Sequence, residues 1–133
     1  MRIIGQCYNA VVSVSLGVES TIRLTADLVN SLINTAGYNH GRLADLNEPE
    51  IGHRSPDKRI LEELTAGYFA LAIETQGVLN QLCVLEKQPI PSTFLSRVPN
   101  HTRKNIIEMA KRQGVMIDSS VLRAVPFVPI NRE

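Results

Sequence analysis

The stretch SPDKRILEELTAGYFALAIETQGVLNQLCVLEK, residues 55–87, decides the fold class. Its opening is helix chemistry. Ser55 suits the N-cap, Pro56 the first helical position, and Asp57 the positive end of the helix dipole. Lys58 at the third position leaves no capping box. Gln88-Pro89 ends the segment, because the residue before a proline is pushed out of the helical region. Ile60, Leu61, Leu64, Tyr68, Leu71, Ala72, Val78, Leu79, Leu82 and Leu85 recur at three- and four-residue steps and form one broad apolar face. Ala66, Phe69, Ala70, Ile73, Gly77 and Val84 form a second, on the opposite side. Polar seams separate them: Lys58, Glu62, Gln76 and Asn80 on one flank, Glu63, Glu74 and Gln81 on the other. A helix apolar on two faces is buried between layers. We expect the first face to pack within the chain and the second, Ala66 to Val84, against another copy. Cover of the second face by the chain's own short segments is the alternative.

Upstream, Val18, Ile22, Ala26, Val29, Leu32, Ile33 and Ala36 predict a second long helix over residues 18–36. Glu19–Arg23 and Arg23–Asp27 are favourable i,i+4 pairs on its polar side. Gly37 is the expected stop. The helical period extends back to Val11, while Val12-Ser13-Val14-Ser15-Leu16 alternates with period two, so a strand over residues 2–16 stays as the other reading. Residues 37–54 read as a connection, given Gly37, Gly41, Pro49 and Gly52.

Downstream, residues 88–133 are shorter-grained. A one- to two-turn helix is expected near 91–98. A helix follows from about His101 to Gln113, stopped by Gly114, and a short one over 119–125 ended by Pro126. Phe127-Val128-Pro129-Ile130 reads as an extended arm whose apolar anchors, Phe127 and Ile130, would dock on a neighbour.

A chain of 133 residues with 44% hydrophobic and 20% charged residues folds as one domain without needing disulfides or metal. The net charge of +1 excludes a strongly basic coat. Charge is uneven, however: residues 40–87 carry five basic and eight acidic side chains, residues 88–133 seven basic and three acidic. Cys7 and Cys83 have no metal-binding or redox spacing and read as small buried hydrophobes, although a disulfide between them stays open. Ile3 to Val18 is uncharged but too short to cross a membrane and lacks a signal-peptide pattern.

Catalytic motifs are missing from the sequence: there is no nucleophile elbow, phosphate loop or HExxH. Glu50 and His53 have ExxH spacing, but Pro49 and Gly52 undercut the helix that would give it meaning. Residues Lys104 to Val115, followed by Asp118 to Arg123, are similar to a helix-turn-helix, with Ala110 and Gly114 at the expected offset. Arg103, Lys104, Lys111, Arg112 and Arg123 are the side chains such a region would turn to nucleic acid. Pro126 limits its second helix to about seven residues, and no set of Asn, Gln or Lys is present to read bases.

These observations predict an all-α single domain over residues 1–133, with two long antiparallel helices, 18–36 and 55–87. Short helices and an arm make up 88–133. The expected function is that of a non-enzymatic, cytoplasmic oligomerisation or protein-interaction subunit, a homo-oligomer or part of a larger assembly. Nucleic-acid binding through the basic C-terminal region is the alternative. No catalytic residue, metal, cofactor, small-molecule substrate or membrane contact is expected.

Overall fold

The computed structural model describes residues 2–46 and 55–129. Within them the chain is all-α. Helix α1 runs Arg2–Leu46, α2 Ser55–Leu85, α3 Asn100–Gln113 and α4 Ser119–Ala124, with a 3₁₀ turn at Phe94–Arg97.

The two long helices are antiparallel. Ile22 and Ala26 of α1 pack with Leu79 and Cys83 near the end of α2. Leu43, near the end of α1, packs with Leu61, near the start of α2. Val29, Leu32, Ile33 and Ala36 meet Phe69, Ala72 and Ile73 between them. With 45 residues against 31, α1 is the longer by about 20 Å, and the excess lies at its N-terminal end.

For α1 one alternative falls away and one expectation is corrected. Residues 2–16 are helical, so the strand reading does not hold. Nor does the helix stop at Gly37. A glycine stop needs a left-handed residue, and Gly114 is the one glycine among the described residues with positive φ. The helix instead carries Gly37 and Gly41 at about 1 kcal/mol each. Continuing it buries Leu43, worth about 1.5–3 kcal/mol, and lets the Asn39 amide donate to the Thr35 carbonyl at 3.0 Å. The remainder of the expected connection, with Pro49, Glu50, Gly52 and His53, lies outside the described residues.

The end of α2 comes at Leu85, two residues before the expected limit. Lys87 takes a left-handed conformation (φ 54°). Its N–H donates to the Val84 carbonyl and that of Gln88 to Cys83, which closes a Schellman motif without a glycine. The same motif ends α3, with Gly114 at φ 70° and Val115 donating to Ala110.

The C-terminal region then folds across one side of the α1–α2 pair. The Phe94 N–H donates to Asn30 Oδ1 at 2.7 Å, and Thr93 Oγ1 to Gln76 Oε1 at 2.6 Å, pinning the 3₁₀ turn to both long helices. Leu95, Ile106 and Leu122 enter the core made by Phe69 and Ile73. Met109 closes the cluster of Leu43 and Leu61. Asp118 caps α4 by accepting from the Ser120 N–H, and this bond with the Ser120 hydroxyl holds its carboxyl below the usual range.

Candidate protein-interaction surface

The second apolar face of α2 is covered by the chain itself. Ala66, Phe69, Ala70 and Ile73 are buried in the core under the C-terminal region. At Gly77 the α4 side chain Val121 comes so close that a Cβ would lie 3.1 Å from its Cγ2. These five residues are therefore not open to another copy in this fold, which corrects the expected interface. Val84 lies beyond the reach of the C-terminal region and is exposed. The arm is likewise held by its own chain: the Val128 N–H donates to the Ser96 carbonyl, and Phe127 is half-buried. Ile130 lies outside the described residues.

The basic set divides in three. Arg103 is buried and spends its guanidinium on backbone carbonyls: Val98 at 2.9 Å, Leu95 at 2.6 Å, Val125 at 2.6 Å and Leu122 at 3.4 Å. It ties the end of the 3₁₀ turn to the end of α4, and burial lowers its pKa. Arg112 reaches Glu62 at 3.0 Å, and Gln113 donates to the same carboxylate at 3.1 Å. Burial alone would raise the Glu62 pKa, but these two hydrogen bonds, with the charges of Arg112 and Lys58, hold it below its ordinary value. Lys104, Lys111 and Arg123 are exposed. The six-residue α4 lies against α2 through Val121 and buries Leu122. So two of the five basic side chains are committed to the fold itself.

No group of three His, Cys, Asp or Glu side chains among the described residues could hold a metal ion. Cys83 is a free thiol, fully buried, and desolvation pushes its pKa up, away from thiolate reactivity. A groove of about 380 Å³ between α1, the 3₁₀ turn and α3 is lined by Ile33, Phe69, Phe94 and Ile106, with His40 and Arg97 beside them. No carboxylate lines it, so it offers no acid–base pair. No helix among the described residues is long and apolar enough to cross a membrane.

What stands out is the side of the α1–α2 pair away from the C-terminal region. Ile60, Leu64, Leu71, Val78 and Leu85 on α2 are exposed, at 40–78% of their full area. Leu64, Leu71, Val78 and Leu85 are spaced by sevens and so share one side of the helix. On α1, Leu24, Leu28 and Tyr38 are exposed, with Thr21 and Ser31 beside them. The Thr21 and Thr35 hydroxyls donate to the Gly17 and Ser31 carbonyls one turn back. Half-buried Tyr68 and Leu82 pack against the two core clusters and bridge the stripes. Between Thr21 and Tyr38 the α1 stripe carries no charge, and Arg42 lies over the Tyr38 ring at 5.9 Å. Of the twelve large apolar side chains exposed among the described residues, these eight lie on this one face.

The face was half-visible in the sequence. Its α2 residues all belong to the first apolar face, which is too wide for one partner helix. Leu61, Ala72 and Leu79 of that face turn to α1 and are buried, while its other margin is bare. The exact heptad of Leu64 through Leu85 was the missed signal. No known protein family, curated protein or solved structure matches the chain.

Proposed function

We propose that this chain is a non-enzymatic helical subunit that works by docking the outer face of its α1–α2 pair on another protein. One observation carries the reading: eight large apolar side chains gathered on one face, whose α1 stripe from Thr21 to Tyr38 carries no charge. Monomeric proteins rarely leave contiguous apolar patches beyond a few hundred Å² in water. Leaving Leu71 and Val78 about half exposed forgoes burial that proteins ordinarily use.

The double variant Leu71→Glu, Val78→Glu tests it. Both side chains point away from the core, so helicity by circular dichroism is expected to stay at the wild-type level. The wild type is expected either to bind an apolar fluorescent dye through this face or, where self-association covers it, to exceed one chain's mass in light scattering, and the variant to do neither. A wild type and a variant alike in both dye binding and mass would refute the reading.

Nucleic-acid binding is the second reading, favoured by exposed Lys104, Lys111 and Arg123. It has the weaker support, since Arg103 and Arg112 already have partners. Anisotropy with a labelled duplex at low salt separates the two. Tight binding that falls steeply with salt and is lost in Lys104→Ala, Lys111→Ala, Arg123→Ala would move the function to α3–α4.

A further inference from the structure

We infer that the occupant of the bare face is a second copy of this chain, giving an antiparallel four-helix bundle. This rests on the protein-interaction reading and names its partner.

The spacing selects a helical partner. Thr21, Leu24, Leu28, Ser31, Thr35 and Tyr38 advance by alternating steps of three and four, as do Ile60, Leu64, Gly67, Leu71, Glu74, Val78, Gln81 and Leu85, of which only Gly67, Glu74 and Gln81 are not large apolar residues. Such repeats keep one seam against a neighbouring helix over many turns. A single helix from another protein would fill one seam. Two seams side by side fit a two-helix partner, and this chain presents one.

The area fits as well. Eight side chains of roughly 150–200 Å² each, more than half exposed on average, offer on the order of 800 Å² per copy, the share each partner gives to a standard stable interface. The C-terminal region sits on the far side of the helix pair and leaves this face clear.

Heights along the helices choose the arrangement. Ile22 and Ala26 stand level with Leu79 and Cys83, and Leu43 with Leu61. A two-fold axis along the bundle keeps those heights and sets α1 beside the partner's α2, with every neighbouring pair antiparallel. Large side chains then meet small ones. Tyr38 comes level with the partner's Gly67, and Ser31 with the space between the partner's Leu71 and the partner's Thr75. Arg42, the cation at the end of the α1 stripe, comes level with the partner's Glu63. A Cβ on Gly67 meets nothing within 4 Å in the single chain, so that position has room for an incoming ring.

The test uses the full chain at up to about 100 µM, a concentration at which micromolar pairs are saturated. Light scattering is expected to give twice the chain mass. Tyr38→Cys and Gly67→Cys chains, each also carrying Cys7→Ser, are then mixed and mildly oxidised. The expected product is a disulfide between unlike chains, in clear excess over links between like chains. A dimer without that link would overturn the arrangement. A monomer at every concentration would overturn the second copy as occupant. Dye binding then tells the two failures apart: a monomer whose dye binding is lost in Leu71→Glu, Val78→Glu still docks some other protein through this face, whereas a monomer that binds no dye removes the interaction reading too.

Discussion

Arg103 shows how little a charge count says about what a cation does. In the sequence it belongs to a basic run beside Lys104. In the structure it is buried and donates to the carbonyls of Leu95, Val98, Leu122 and Val125, at the ends of two short elements where Leu95 and Leu122 otherwise accept only a long 3.3 Å turn bond. The signal that could have identified it is phase: Arg103, Ile106 and Ala110 share one side of α3, and all three are buried. A lysine has the charge but not the planar fork. Arg103→Lys is expected to lower the unfolding free energy by about 2–4 kcal/mol in urea titrations, because buried carbonyls lose donors. A change under about 0.5 kcal/mol would mean the carbonyls find water instead. Lys104→Ala, one residue away and exposed, is the matched control and is expected to change stability by no more than about 0.5 kcal/mol.

At the scale of the element, α2 was legible as a long helix with two apolar faces, and its start was legible to within one residue, Ser55 being helical where the sequence suggests an N-cap. Which face its own chain would cover was not. Periodicity reports that Phe69 and Ile73 seek burial, but the cover comes from Leu95, Ile106 and Leu122, whose approach depends on turns far along the chain. Gly37 misled for a related reason. Glycine is a stop only where the chain turns left-handed, and local sequence does not reveal that Leu43 has a site waiting one and a half turns further on. The glycines accordingly predict different outcomes. Gly37 is helical and an added Cβ meets nothing, so Gly37→Ala is expected to stabilise by about 0.5–1 kcal/mol. At Gly77 the Cβ would stand 3.1 Å from Val121 Cγ2, so Gly77→Ala is expected to gain clearly less, or to lose stability as α4 is displaced. Paired thermal melts measure the difference. Equal shifts would mean α4 yields freely and is not packed as the structure has it.

The whole molecule carries its apolar surface unevenly, and that has a thermodynamic consequence. One side of the helix pair is sealed by the C-terminal region through Leu95, Ile106, Met109 and Leu122. The other leaves Leu24, Leu28, Tyr38, Leu64, Leu71 and Val78 facing out. If a second copy covers them, part of each chain's stability is supplied by its partner, and unfolding a dimer to two unfolded chains depends on concentration. Each tenfold rise in protein then adds up to about 1.4 kcal/mol per dimer. The melting temperature is therefore expected to climb by a few degrees for every tenfold increase in concentration, about the shift that such an increment produces in a domain of this size. Leu71→Glu, Val78→Glu is expected to melt lower and at one temperature across the range, since its chains unfold singly. Charge exchange probes the same contact by another route. Arg42→Glu and Glu63→Arg should each flatten the concentration dependence, by setting like charges level with each other across the pair, and the double exchange should restore it. Wild-type melts that do not move with concentration would mean that each chain's stability is complete in itself, and that the bare face adds nothing to it from a second copy.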